Sequence, residues 1–380
     1  MKVAKPKNKP QPRFSSGPTA KPATWKPSWI NESILGRSHR SKDGLKLLQQ
    51  AIDEARKLLC IPKDHHLVIT PGSATGALET AFWNLLGPNI VDVITCDTFG
   101  DRWVKDIRDN LKLTVRVLGA PCFGEPAAWH MAEPTNDIVY VHNATTSGVI
   151  MPNCDWILDS REGLVICDAT SAAFGCQLDW SKLDATAFSW QKVLGGEAGF
   201  GMLVLSPRAI KRLESYTPTW PLPLLYQLRG QNKLDLLCKG YTINTVSLMC
   251  VSDFLRSLKW FDKIGGVAGA AKKTSSNYEE LRKWVEKSDW CDFVVTDPQY
   301  RSPLSVVLKI TTTEFVNMKE QQQRQIIQKM VDLLEKEKAA YDIRNHIHLP
   351  PSLRIWCGPT VEHKDVKLLT EWLDWAWQSN

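Results

Sequence analysis

The chain has 380 residues, 43% of them hydrophobic, enough for a sizeable core and too many for one small domain. Its 47 basic and 41 acidic residues leave a formal charge of +6, much of it on the lysines of the first ten residues, so the body of the chain lacks the broad basic field of a nucleic-acid binder. No run of roughly 18 apolar residues exists to span a membrane, and the ten cysteines form no CxxC pair. Zinc ligation and a disulfide framework are therefore not expected, and the compartment implied is a reducing cytoplasm.

Residues 1–12, "MKVAKPKNKPQP", interleave lysine and proline without an apolar anchor, which predicts a solvated, disordered arm and no secretory signal. "GLKLLQQAIDEARKLLC" (44–60) repeats its apolar positions near a 3.6 period and reads as an amphipathic helix closed by Pro62. Short apolar runs then alternate with helical segments: "HLVIT", "ATGALETAFWNLL", "NIVDVITC", "DRWVKDIRDNL", "LTVRVL", "DIVYVH", "GLVICD", "ATAFSW" and "GMLVLS". Continuous apolar strands separated by helices predict an α/β fold whose mainly parallel sheet is covered on both faces, here assigned to residues 13–260. From about residue 261 two long helices, "AKKTSSNYEELRKWVEKS" and "KEQQQRQIIQKMVDLLEKEKAA", accompany the strands "CDFVVT", "LSVVLKI" and "LRIWC". This predicts a smaller α+β domain over 261–380. The tryptophans, as in "AFWNLLG" and "SLKWF", sit among apolar neighbours and read as core.

Ligands of open α/β sheets bind beyond the carboxyl ends of the strands, so post-strand residues are the candidates. After "HLVIT", the turn "PGSATGA" opens a helix whose free N–H groups suit an anion, although it matches neither GxGxxG nor GxxxxGK[ST]. After "NIVDVITC", Phe99 offers a flat apolar face, or ordinary packing. "NATTSG" (143–148) is rich in hydroxyls, or simply a polar turn. Asp168 ends "GLVICD", where a carboxylate must be paired, serve a site, or cap the next segment. In "SWQKVLGGEAGFG" (189–201), Lys192 follows a buried strand, and desolvation there makes an amine a nucleophile towards an aldehyde. The glycines beside it let the backbone turn tightly beneath a bulky ring. A lysine, an aspartate for a pyridinium nitrogen, an aromatic face and an N–H turn are together what pyridoxal phosphate requires.

At these residues the chain resembles the phosphoserine aminotransferases, class V, fold-type I pyridoxal phosphate enzymes. "RFSSGPT", "GRSHRS", "HNATTSGV", "CDATSAAFG", "SWQKVLGGEAGFG" and "GYTINTVSLM" carry the resemblance, in order, over about residues 13–365. It implies a seven-stranded sheet in a large cofactor-binding domain. Lys192 would be the residue joined to the cofactor and the proton shuttle; Asp168 would bond the pyridine nitrogen, and Phe99 would stack on the ring. Thr145 would reach the ring hydroxyl, and Ala74, Thr75 and Gln191 would hold the cofactor phosphate. Asn244 and Thr245 would reach the phosphate of a neighbouring subunit, so a homodimer with shared sites is implied. Arg354 would clamp the substrate α-carboxylate, and His39 with Arg40 would face the distal anion.

The implied reaction moves an amino group between L-phosphoserine and 2-oxoglutarate in serine synthesis, with 4-phosphohydroxythreonine in pyridoxine synthesis as a further family substrate. Two rivals stand beside it: a class V serine or alanine aminotransferase using glyoxylate or pyruvate, and a nucleic-acid or surface-binding protein led by its basic arm. Two departures are visible. Ala74 and Thr75 leave the phosphate turn uncharged where members carry arginine or aspartate. "RNHIHLPPSLR" offers His346 or His348 where some members have a His-Arg pair.

Overall fold

The computed structural model describes residues 4–379. Helix α1 (Lys42–Leu58) is capped by the Ser41 hydroxyl, which accepts from the Gly44 N–H, and it buries Leu48, Ala51, Ile52 and Ala55 on one face. There follow β1 (His66–Pro71), α2 (Ser73–Leu85), β2 (Val91–Thr95), α3 (Thr98–Lys105), β3 (Val115–Gly119) and β4 (Asp137–Val141). After the two-residue strands β5 (Asn143–Ala144) and β6 (Val149–Ile150) come β7 (Val165–Asp168), β8 (Ala185–Ser189) and β9 (Phe200–Leu205).

Seven of these strands make one sheet in the order β1-β9-β8-β7-β4-β2-β3, in which only β9 runs against its neighbours. The α/β class with a mainly parallel sheet is what the alternating runs predicted. Every residue of β2, β4, β7, β8 and β9 is buried, which is why these strands read as unbroken apolar runs. Alternate side chains serve opposite faces: Tyr140, Cys167 and Phe188 join one hydrophobic cluster, Val139, Ile166 and Ala187 the other.

The chain continues through α4 (Pro207–Ser215), α5 (Lys233–Cys238), α6 (Leu248–Lys263) and α7 (Gly266–Val285). Then come β10 (Cys291–Phe293), β11 (Ser305–Ile310), α8 (Thr313–Val316), α9 (Glu320–Lys336), β12 (Leu353–Trp356) and α10 (His363–Gln378). Strands β10, β11 and β12 pair in that order as an antiparallel sheet, and α10 packs on α7 and α9. Among the described residues no helix is long and apolar enough to cross a membrane.

Two expectations need correcting. "DRWVKDIRDNL" is not one regular helix: α3 stops at Lys105 and the chain widens into a π turn over Asp106–Asn110, closed by Leu111 N–H on the Asp106 carbonyl at 3.1 Å. The described part of the basic arm is not a free tail either. Lys5 pairs with Glu337 at 2.7 Å, and Lys5 and Lys9 each lie 5.5 Å from an indole centroid, of Trp375 and Trp372 respectively. The Trp372 indole N–H donates to the Asn8 carbonyl at 2.8 Å, and Tyr341 N–H to the Pro12 carbonyl at 2.7 Å. The apolar anchor missing from the arm is supplied by α10, against which lysine stems and ammonium groups can lie. Residues 1–3 of the arm lie outside the described residues.

Candidate active site

The parallel strands all end at one edge of the sheet, and β9, running the other way, begins there. The site is built at this edge. Ala74, Thr75, Phe99, Thr145, Asp168, Gln191 and Lys192 are among the residues that line a cavity of about 260 Å³. Seven of the twelve residues expected at a site are thus brought together by five separate strand ends.

Lys192 stands three residues beyond β8. Its approach is fixed by Trp190, whose ring stacks on Phe254 at 4.4 Å in the core, and by Thr19, whose N–H donates to the Gln191 carbonyl at 3.0 Å and whose hydroxyl donates to the Lys192 carbonyl. Nζ donates to the Ser16 carbonyl at 2.8 Å. The residue is partly exposed only because it lines the cavity; protein surrounds it otherwise. Burial, with the Arg354 charge acting the same way, pushes its pKa down to about 8, against the pull of Asp168 and Asp97.

Gly17 is the reason the ammonium can sit there, since a Cβ on it would lie 1.9 Å from Nζ. Gly17→Ala, which also places a side chain at φ +157°, is therefore expected to displace the lysine head and lower kcat by about 100-fold, the scale of a misplaced reacting group. Steady-state kinetics beside a thermal melt checks this, and an unchanged kcat would show that Nζ finds an equivalent position.

Asp168 is the last residue of β7 and is buried. Its Oδ1 accepts from the Thr170 N–H at 3.0 Å and from the Thr170 hydroxyl; its Oδ2 accepts from the Trp103 indole N–H at 3.0 Å. Burial raises its pKa, and these donors and the Lys192 charge offset part of the rise. Trp103 and Thr170 were missed from sequence. The "DAT" triplet is a readable Asx-turn pattern that points to Thr170; nothing local points to Trp103, which arrives from α3 in the next crossover.

At the N-terminus of α2 the Gly199 carbonyl takes two N–H groups, from Gly72 at 3.0 Å and Ser73 at 3.2 Å. The first helical bond is Gly76 N–H to Gly72, so the Ala74 and Thr75 N–H groups line the cavity without a backbone partner. Gly199 adopts φ +116° to aim its carbonyl this way. Glycine in "GGEAGFG" thus serves the turn at β1–α2 as well as clearance around the lysine.

The remaining five residues lie elsewhere. Arg354, in the middle of β12, does not line the cavity, but its charge bears on Lys192 and is itself opposed by Asp97. Its buried Nε has no partner, and burial lowers its pKa. His39 is buried with Nε2 unpartnered, its pKa lowered by burial and then by Arg40; Arg40 is exposed. Asn244 and Thr245 lie on a surface loop, where the Asn244 amide donates to the Thr245 carbonyl at 3.0 Å. None of these four lines this chain's own cavity. Of the two histidines before Arg354, His346 is the one that meets the site, its ring edge-on to Phe99 at 6.3 Å.

A family model for class-V aminotransferases matches residues 29–329. The chain belongs to the class-V aminotransferase family. It is 43% identical to the phosphoserine aminotransferase of Methanosarcina mazei over 98% of this chain and 97% of that one, and 43% identical to that of Methanosarcina barkeri over 96% of each. Among solved structures it superimposes on the phosphoserine aminotransferase of Cytophaga hutchinsonii with a TM-score of 0.78 at 22% identity, covering 95% of this chain and 97% of that one. It also superimposes on an alanine–glyoxylate aminotransferase from Nostoc with a TM-score of 0.77 at 16% identity, covering 99% of this chain and 97% of that one. Fold similarity alone therefore does not separate the substrates within the family.

Proposed function

We propose that this chain transfers the amino group between L-phosphoserine and 2-oxoglutarate, yielding 3-phosphohydroxypyruvate and glutamate, with pyridoxal phosphate as cofactor and phosphoserine formation as the biosynthetic direction. The observation that carries this reading is the convergence of Lys192 and Asp168 on one cavity in a chain 43% identical, almost end to end, to phosphoserine aminotransferases.

The residues present fit the cofactor. The Ala74 and Thr75 N–H groups lack backbone partners, the buried Gln191 side-chain oxygen has no partner, and Asp168 Oδ2 accepts only one bond, leaving a lone pair for a ring N–H. Ala74, Thr75 and Gln191 would hold the phosphate, without the charge many anion sites carry. Phe99 would cover a ring face and Thr145 would meet the ring hydroxyl. When bound, pyridoxal phosphate supplies an aldehyde for the amino group and a ring that withdraws electrons from the substrate α-carbon.

Asp168 would keep a proton on the ring nitrogen, since a buried carboxylate favours a cation or a donor beside it. Lys192, with its pKa near 8, has a neutral fraction at physiological pH and so can take a proton at Nζ and return it. Arg354 would receive the α-carboxylate in its planar fork, for which its unpartnered Nε is free. In this reading residues 13–260 hold the cofactor and 261–380 bring the arginine.

A homodimer completes the proposal. The chain between 224 and 249 exposes Leu224, Leu225, Leu236, Tyr241 and Met249, an apolar surface suited to a second copy. Asn244 and Thr245 lie within that stretch and would reach the neighbouring cavity. His39 and Arg40, off their own cavity, would meet the distal anion across the same boundary.

The test is direct. Purified protein reconstituted with pyridoxal phosphate should be yellow, bleach with borohydride leaving the label on Lys192, and form glutamate from L-phosphoserine and 2-oxoglutarate. Faster turnover of alanine with glyoxylate would replace the substrate assignment, and failure to bind the cofactor would remove the reading altogether.

A further inference from the structure

Asp97 is a buried acid at the site that the chemistry above does not use. It follows β2 and caps α3: its Oδ1 accepts from the N–H groups of Phe99 and Gly100, both at 3.0 Å. Its Oδ2 turns the other way and accepts from the Thr146 hydroxyl at 3.1 Å. The Thr146 carbonyl in turn accepts from the Asn345 amide at 2.8 Å, and that amide also donates to the Ser352 hydroxyl at 3.0 Å, two residues before Arg354. A line of hydrogen bonds thus runs from the Phe99 backbone, through Asp97 and Thr146, to Ser352, the residue just before the strand that carries Arg354.

Capping does not explain the choice of residue. Asparagine and serine cap as well as aspartate, yet here the charge is kept despite burial and the nearby Asp168, which push its pKa up to about 6. The charge has two beneficiaries: Asp97 raises the pKa of both Lys192 and Arg354. Its other charged neighbour on α3, Asp101, is bonded to Thr95.

We propose that Asp97 is a positioning residue for the amino transfer, tying the Phe99 ring face to the loop at Thr145–Thr146 and serving as the negative neighbour shared by Lys192 and Arg354. The inference rests on the cofactor reading given above. It separates two functions in one side chain, one needing only an acceptor and the other needing charge.

The experiment compares Asp97→Asn, Asp97→Ala and Thr146→Val with wild type in the full-length protein, measuring pyridoxal phosphate affinity, the pH midpoint of cofactor incorporation at Lys192, and KM and kcat for phosphoserine. Asp97→Ala is expected to weaken cofactor binding about tenfold by freeing the Phe99 turn. Asp97→Asn should restore affinity to within about threefold, yet move the midpoint down by about half a unit or more and lower KM, because Lys192 and Arg354 lose their counter-charge. Thr146→Val, with the cap intact, should weaken affinity by less than Asp97→Ala. A midpoint and KM unchanged in Asp97→Asn would reduce Asp97 to a helix cap, and wild-type affinity in Asp97→Ala would remove the positioning role. Cofactor uptake by wild type, run alongside, tests the cofactor reading itself, so the two failures are told apart.

Discussion

Lys192→Ala lowers kcat for amino transfer by about four orders of magnitude or more, the combined cost of losing a covalent anchor and a positioned base. The neighbouring acids and the arginine are no substitute. Asp168 and Asp97 are acceptors engaged by Thr170, Trp103, Thr146 and the α3 backbone, and Arg354 stays protonated. Spectroscopy of the variant with pyridoxal phosphate, beside a phosphoserine assay, checks the result; residual activity above about 1% of wild type would place the base elsewhere.

The lysine's pKa adds a pH signature. Nζ must be neutral to attack an aldehyde, so incorporation of the cofactor into wild-type apoprotein should rise with pH up to about 8 and then level, whereas an ordinary lysine would keep rising towards 10.5. The same shift acts on stability. Because the folded-state value lies below the unfolded one, the penalty for burying the ammonium is present in full below about pH 8 and relieved as pH rises above it. Lys192→Met should therefore melt higher than wild-type apoprotein at pH 7, with an advantage that fades at alkaline pH.

Asp168→Asn is expected to cut kcat by about 100- to 1000-fold, the scale for removing one preorganised electrostatic partner, with little loss of fold. An asparagine oxygen can still accept from Thr170, but its amide then faces the Trp103 indole N–H, donor against donor. The neutral side chain also cannot hold a proton on a ring nitrogen. Apoprotein stability should respond differently. Burial raises the Asp168 pKa, so the protein is favoured with this acid protonated and loses that advantage as pH climbs through the folded-state value. Asparagine removes the penalty, which offsets the cost of the unpaired Trp103 N–H, and the variant should melt close to wild type at neutral pH. A large fall in melting temperature would instead show that the charge holds the sheet edge together.

How much was readable from the chain depended on range. Buried parallel strands advertise themselves as apolar runs, and residues placed immediately after them, such as Asp168 and Lys192, could be chosen by position alone. Phe99 and Thr145 stood at such positions too, but packing and a polar turn explained them as well until the family resemblance gave each a role. Trp103 could not, because its indole meets Asp168 across a crossover 65 residues away in sequence. Asp97 drew no notice in the sequence, since its second oxygen finds Thr146 only in three dimensions. The basic arm was misjudged for a related reason: its composition lacks an anchor, and the anchor is a tryptophan-rich helix more than 360 residues further on.

The strand of chain from Phe14 to Thr19 sets an order of assembly. The partners that seat it lie far along the chain: Lys192 for the Ser16 carbonyl, Ser305 for the Ser16 hydroxyl at 2.9 Å, and Trp356 N–H for the Phe14 carbonyl at 2.9 Å. Seating this segment closes long loops, so it is expected after the strands that carry its partners have paired. The seat of Lys192 against Ser16 is therefore expected to form late, once both sheets supply these contacts.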